Sequence, residues 1–281
     1  MKIKEAFELL KSELLKVEDS YFAKKEALLI LAHFLNTSPL NIYLYFDKDI
    51  AEKEVLQILK KRLAGYPLAY VLKEAWFWGR KFFVEEGVLI PRQDTEILVE
   101  AFLESKIQKG VFLELGVGSG AIAITLLLEK PDLSAFGVDI SSDALRICQK
   151  NSGYHGVNNK LFLLKADWLG AFRRAPLFSA IISNPPYISQ AEWNGLAEEV
   201  KKEPYQALVA GETGLEYHEK LVKEASQFLK PEGFLFFEIG YNQKHQVEKL
   251  LKEFGWSYQF YKDLSGYYRV VKAWRDEDLR N

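Results

Sequence analysis

From residue 111 onward the chain alternates short apolar, β-prone runs with helical patterns, and few folds accept that order. Val111-Phe112-Leu113-Glu114-Leu115 and Ala135-Phe136-Gly137-Val138-Asp139 read as strands. Leu161-Phe162-Leu163-Leu164 and Ser179-Ala180-Ile181-Ile182 read as two more, both buried. Residues 121–128 and 144–151 between them carry helical periodicity, with Ser141 as an N-cap and Asp143 in the first turn. Strands that return through helices pair in parallel and are covered on both faces. The order therefore predicts an α/β, doubly wound, mostly parallel sheet. Residues 217–229 and 245–254 extend it as helices, 234–238 as a strand, and 256–261 and 268–273 as two closing strands.

The first 72 residues have a different texture. Ala6, Phe7, Leu10 and Leu14 recur at helical spacing, as do Ala27, Leu28, Leu31 and Leu35, then Val55, Leu56, Leu59 and Leu63. Asn36, Ser38-Pro39 and Asp47 punctuate them. This predicts a small helical bundle of nearly balanced charge. Phe77-Trp78-Gly79-Arg80-Lys81-Phe82-Phe83-Val84 is aromatic and β-prone, and Glu85-Glu86-Gly87 reads as a turn before Val88-Leu89-Ile90. A hairpin closed by Pro91 is expected there, followed by a helix carrying Ile97, Leu98 and Ala101 and capped by Thr95 or Asp94. The expected segments are thus 1–75 (helical), 76–91 (hairpin linker) and 92–281 (the α/β domain).

Composition removes some classes of function. A formal net charge of −2 over 281 residues does not suit a protein whose affinity rests on neutralising phosphates. A hydrophobic share of 48% supplies a core. The lone Cys148 cannot form a disulfide within the chain and reads as a small buried residue. The start lacks the apolar run of a signal peptide, and no stretch is long enough to span a bilayer, so a soluble cytoplasmic protein is expected. His33, His155, His218 and His245 lack ligand spacing, and no metal is expected. Lys60-Lys61-Arg62 reads as a solvated helix face, Trp76 and Trp78 as hairpin packing, and 275–281 as a frayed end.

Gly116-Val117-Gly118-Ser119-Gly120 lies between the first strand and first helix of the sheet. Glycines there let the chain turn sharply and let a ligand approach the backbone, at the strand ends where doubly wound sheets bind ligands. Asp139 ends the next strand about 20 residues on, where an acid can accept hydrogen bonds from two ribose hydroxyls. The loop with Ala121 fits a dinucleotide as well as it fits S-adenosylmethionine.

Asn184-Pro185-Pro186-Tyr187 separates the two. It follows the strand ending in Ser183, beside the glycine loop. Two prolines remove two backbone donors and leave carbonyls free to accept. The Asn184 side-chain oxygen and the Pro185 backbone oxygen can take both hydrogens of a planar NH₂ group, with Tyr187 as a flat wall. That grip aims the nitrogen lone pair at a methyl donor and offsets its delocalisation as charge develops. Hydride transfer has no use for it. In isolation, Trp168 reads as core.

The chain resembles the protein-(glutamine-N5) methyltransferases of the HemK/PrmC type. The match includes Phe77-Trp78-Gly79 with Phe82, residues 88–96 and 114–123, Val138-Asp139-Ile140-Ser141, Ala166-Asp167-Trp168 and residues 182–188. It continues through Glu199-Val200, Glu203-Pro204, Ala207-Leu208, Gly214-Leu215 and Glu238-Ile239-Gly240. The resemblance implies a Rossmann-like class I methyltransferase domain with a seven-stranded sheet. It implies transfer of a methyl group from S-adenosylmethionine to the glutamine of the Gly-Gly-Gln motif in class I peptide chain release factors. On the same ground, Gly116, Val117, Gly118, Ser119 and Gly120 hold the methionine part, Asp139 the ribose, and Asp167 and Trp168 the adenine. Asn184 touches cofactor and substrate, Asn184, Pro185, Pro186 and Tyr187 form the glutamine pocket, and the N-terminal helices help dock the factor. Gln93, Glu114, Val117 and Lys202 depart from the family's usual Pro, Asp, Thr and aromatic residue.

Two other functions stay open at this level. A nucleic-acid amine methyltransferase explains Asn-Pro-Pro-Tyr equally well, because a base amine is also planar, but it needs a basic channel. A cofactor-binding adaptor without turnover would have no use for Asn184. The expected partner is a release factor rather than nucleic acid or a membrane, and the expected state is a monomer.

Overall fold

The computed structural model describes residues 1–276; most of the expected frayed end, residues 277–281, lies outside the described residues. The chain divides into two compact units, Met1–Glu74 with Ala197–Lys202, and Ala75–Leu196 with Glu203–Asn281. The segment 76–91 belongs to the second unit, and nothing in the sequence signals that 197–202 belong to the first.

The first unit holds α1 (Ile3–Leu14), α2 (Ser20–Leu35), a 3₁₀ turn (Pro39–Tyr45), α3 (Glu52–Leu63) and α4 (Leu68–Leu72). Ile3, Ala6, Phe7, Leu10 and Leu14 of α1 are buried with Ala23, Ala27, Ile30 and Leu31 of α2. Asp19 starts α2 by accepting from the Tyr21 and Phe22 amides. On α3 the expected face is corrected. Val55 and Leu59 are buried as expected and Leu63 packs against them, but Leu56 is exposed, and Arg62 is buried in the same row with Ile58 beside it. Arg62, expected on a solvated face, is 2% exposed. Its guanidinium bonds Glu26 at 2.7 and 2.9 Å and Glu18 at 3.2 Å, and pairs with Glu199 at 3.5 Å. A five-donor fork can enter the core when carboxylates meet it there.

The second unit opens with the hairpin β1 (Glu74–Phe77) and β2 (Arg80–Phe83). Glu85-Glu86-Gly87 does turn, the Val88 amide donating to the Glu85 carbonyl at 3.2 Å, but the hairpin turn falls at Trp78-Gly79, and Val88-Leu89-Ile90 is not a strand. Trp78 and Gly79 take φ of 53° and 67°, the two left-handed residues of a tight hairpin whose twist matches its arms. The Glu96 carboxylate accepts from the Trp78 amide at 2.6 Å, and Glu129 from its indole at 3.1 Å. Trp76, expected to pack, is 60% exposed.

The elements that follow are α5 (Glu96–Leu103), β3 (Gly110–Leu115), α6 (Ala121–Glu129), β4 (Leu133–Asp139), α7 (Ser142–Tyr154), β5 (Leu161–Lys165) and β6 (Phe178–Ser183). Next come β7 (Ile188–Ser189), α8 (Gln190–Trp193), α9 (Tyr205–Leu208), β8 (Val209–Gly211), α10 (Glu216–Glu224), β9 (Leu229–Glu238), α11 (Lys244–Glu253), β10 (Ser257–Lys262) and β11 (Tyr268–Trp274). The main sheet has seven strands in the order β10-β11-β9-β6-β3-β4-β5. β5, β4, β3, β6 and β9 pair in parallel, and β11 is antiparallel to both β9 and β10. β5 is an edge, which is why Phe162, expected to be buried, is exposed. The helix expected to reach residue 229 ends at Glu224, where a short 3₁₀ turn leads into a longer β9. Two apolar layers cover the sheet, one built on α5 and α6 and the other on α10 and α11. Among the described residues no single helix is long and apolar enough to cross a membrane. The strand order reverses at β3, with β4 on one side and β6 on the other, so the ends of β3, β4 and β6 open onto one crevice.

Candidate active site

A cavity of about 310 Å³ sits in that crevice, within the size range of small-molecule sites. Gly116, Val117, Gly118, Ser119, Asp139, Asp167, Trp168, Asn184 and Pro186 line it. Gly120, Pro185 and Tyr187, expected at the site, are not among the residues that line it.

The glycine loop has its shape for local reasons. Gly116 and Gly118 have φ of 72° and 54°, and a Cβ at Gly116 would meet open space. Backbone therefore forms this wall with nothing standing off it. Gly120 has φ of 81°, and a Cβ there would lie 2.6 Å from Cys148 Sγ and 2.9 Å from Ile124 Cδ1. Gly120 lets α6 and α7 close together. Being a glycine, it offers α6 no side-chain cap, and Glu114 supplies one from β3 by accepting from the Ala123 amide at 2.8 Å. Burial, with Asp139 nearby, pushes the Glu114 carboxyl well up. Val117 is 3% exposed in the apolar cluster beside α6, and a Cβ on Gly137 of β4 would crowd it at 2.9 Å. A hydroxyl would gain little at that position.

Asp139 is fixed by the loop it faces. Oδ2 accepts from the Gly118 amide and Oδ1 from the Ser141 amide, each at 2.9 Å. A carboxylate has about four lone-pair sites, so two remain for a vicinal diol. Burial outweighs these bonds and raises its pKa.

Asp167 is exposed, with Lys220 at 3.9 Å. Trp168 is 7% exposed at φ of 59°, a costly conformation for a bulky residue, and its indole N–H is buried without a hydrogen-bond partner among the described residues. Its ring lies 5.2 Å from that of Tyr217, and both line the cavity. An orphaned donor beside two aromatic faces fits a nitrogen-bearing planar ring. The loop, the diol acceptor and this wall together fit a nucleoside bearing an amino-acid tail, the shape of S-adenosylmethionine.

Asn184 Nδ2 donates to Thr95 Oγ1 at 3.0 Å. No backbone hydrogen bond among the described residues ends on the Pro185 carbonyl. Ser183 Oγ ties the loop to the Leu115 carbonyl at 2.9 Å. Gln243 Nε2 holds the Tyr187 and Gly214 carbonyls at 2.9 and 3.0 Å, while its Oε1 accepts from the Gly240 amide. Tyr187 Oη donates to Glu238 Oε1 at 3.1 Å, and burial beside that carboxylate pushes the phenol up.

Sequence reasoning missed several residues here. Thr95, expected as a cap, makes no capping bond; its hydroxyl donates to Glu238 Oε2 at 2.6 Å. Glu203 is buried, accepting from Arg92 and from the Ile90 amide, and so holds the 90–92 strap at the cavity. Tyr217 carried no signal. Glu238 carried one, as a lone acid ending the apolar run Phe234-Leu235-Phe236-Phe237.

Residues 92–212 match the methyltransferase small domain family, and residues 5–72 match the PrmC N-terminal domain. The release factor glutamine methyltransferase of Aquifex aeolicus is 39% identical over 272 residues, covering 94% of this chain and 95% of that one. That of Chlorobaculum tepidum is 38% identical, covering 85% and 88%. A Pyrococcus furiosus methyltransferase structure shares the fold at a TM-score of 0.52 and 17% identity, covering 79% of this chain and 95% of that one. The two family matches and the likeness to these two relatives over most of both chains establish that the chain belongs to the family of release factor glutamine methyltransferases.

Proposed function

We propose that this chain moves a methyl group from S-adenosylmethionine to the side-chain amide nitrogen of the glutamine in the Gly-Gly-Gln motif of class I peptide chain release factors, leaving S-adenosylhomocysteine. The carrying observation is the Asn184-Pro185 pair, a side-chain amide held by Thr95 and a carbonyl that takes no backbone hydrogen bond among the described residues. When bound, S-adenosylmethionine supplies an electrophilic methyl on a sulfonium. The chain supplies the rest. The Gly116 to Ser119 backbone and Asp139 hold the amino-acid and ribose ends, and Trp168 and Tyr217 wall the adenine. Asn184 Oδ1 and the Pro185 carbonyl take the two N–H hydrogens and hold the nitrogen lone pair in line with the methyl. Such alignment supplies roughly 7–11 kcal/mol in the best intramolecular cases, and the acceptors stabilise positive charge growing on nitrogen. The nitrogen, on taking the methyl group, would shed a proton through these acceptors to water. The reading uses no metal ion and no strong base. The N-terminal helical unit, 1–75 by sequence, docks the factor in this reading.

The test is incubation with methyl-labelled S-adenosylmethionine and a release factor, the same factor with its motif glutamine changed to alanine, or DNA and RNA. Label on the intact factor alone is expected. Label on nucleic acid alone would assign the grip to a base amine instead.

A further inference from the structure

We propose that Thr95 and Glu238 are positioning residues that fix which end of the Asn184 side-chain amide faces the substrate. The proposal rests on the reading of Asn184 as an acceptor for the glutamine amide.

The argument is one of hydrogen count. A threonine hydroxyl has a single hydrogen. Thr95 Oγ1 gives it to Glu238 Oε2 at 2.6 Å, so toward Asn184 it can only accept. Only Nδ2 can answer an acceptor, and it does so at 3.0 Å, which turns Oδ1 toward the cavity that Asn184 lines. Tyr187 fills the other carboxylate oxygen from the same Asn-Pro-Pro-Tyr loop. The sheet makes this possible: β6 and β9 pair with Ser183 opposite Phe237, so the residues that follow, Asn184 and Glu238, come side by side, Glu238 still paired with Val270 of β11. Thr95 and Glu238 are 4% and 1% exposed, so water offers little alternative to either bond.

The polarity depends on Glu238 being an acceptor. A proton on Oε2 would point at Thr95 Oγ1, turn the hydroxyl hydrogen toward Asn184, and favour the amide with Nδ2 facing the substrate. Two N–H donors would then meet. The surroundings hold the carboxyl near that switch. Burial pushes it up to about 7, with Asp94 ahead of α5 adding to the rise, against the Thr95 and Tyr187 bonds and Arg269 of β11. His218 of α10 faces it only through the Glu238 carbonyl, at 2.9 Å, and burial keeps that ring neutral down to about pH 4.

The test compares kcat, KM for the factor, cofactor affinity and the pH profile in the full chain and four variants. Thr95→Val keeps the shape and removes the relay. Its kcat should fall about 10–100-fold, the cost of a misaligned reacting group, with cofactor Kd within about threefold of the parent. Thr95→Ser should recover to within about threefold. The parent's kcat should fall about tenfold per pH unit below about pH 7, and Glu238→Gln, which cannot titrate, should lose that limb. Parental kcat in Thr95→Val, or a limb that persists in Glu238→Gln, would overturn the relay. Asn184→Ala separates the two levels: if it is inactive while Thr95→Val is normal, only the relay falls, and if it turns over normally the acceptor reading falls with it.

Discussion

At the scale of single residues, Glu238 and Asp139 are carboxylates held for different purposes, and each implies a measurement. Burial lifts the Glu238 carboxyl from near 4.5 to about 7. A raised pKa means that its contribution to stability is complete below the unfolded value and is lost as pH rises through about 7. The shift corresponds to roughly 3 kcal/mol against the fold at alkaline pH. Glu238→Gln should therefore be the more stable protein at pH 8 by up to about 3 kcal/mol, the gap closing toward pH 5; denaturant titration at both pH values checks this, and a gap independent of pH would contradict it. His218, lowered to about 4, acts on the other side, since its contribution is present above 6.5 and is lost as pH falls through about 4. Asp139→Asn cannot accept from both the Gly118 and Ser141 amides and still serve a diol. Hydrogen bonds to a charged group contribute about 1.5–3 kcal/mol, so S-adenosylhomocysteine affinity by calorimetry should fall roughly 10–100-fold. Unchanged affinity would remove Asp139 from the site.

At the scale of elements, the βα order and the glycine loop were legible because each is a local pattern: apolar runs of strand length, and a strand–glycine–helix join at residues 116–120. What stayed hidden depends on long-range partners. Arg62 reads as surface until Glu18, Glu26 and Glu199 are brought to it from three other segments. Thr95 reads as a cap until Glu238, 143 positions away, takes its hydrogen. The hairpin turn was misplaced because Glu85-Glu86-Gly87 has turn composition, whereas Trp78 accepts a left-handed φ only because Glu96 and Glu129 hold it. Two variants probe these joins. Gly120→Ala meets both a left-handed φ and Cys148, and should cost roughly 2–4 kcal/mol by thermal or denaturant unfolding. Gly65→Ala, at φ of 78° with open space around it, should cost only about 1–2 kcal/mol. Equal costs would remove the packing role given to Gly120. Arg62→Met strands Glu26 beside the core and should cost about 3 kcal/mol, part of which Glu26→Leu in the same chain should restore. Additive losses in the double variant would contradict the coupling.

At the scale of the whole molecule, the seven-stranded unit is read as the catalytic part and the helical unit as the docking part. The latter exposes Leu40 and Leu44 of its 3₁₀ turn at 81% and 80%. Charging both to Asp should raise KM for the factor about 30-fold, taking the partial burial of each apolar side chain as worth about 1 kcal/mol, with kcat and cofactor affinity unchanged; an unaltered KM would take this turn out of the docking surface. Site and partner reading converge on one atom, the side-chain nitrogen of the motif glutamine. The most direct test is therefore to locate the product: tandem mass spectrometry of a release factor after reaction with the parent protein and with Asn184→Ala. One added methyl on the side-chain amide of the Gly-Gly-Gln glutamine, formed by the parent and not by the variant, is the expected result. A methyl on any other residue, or the same methyl formed at the parental rate by Asn184→Ala, would contradict the account.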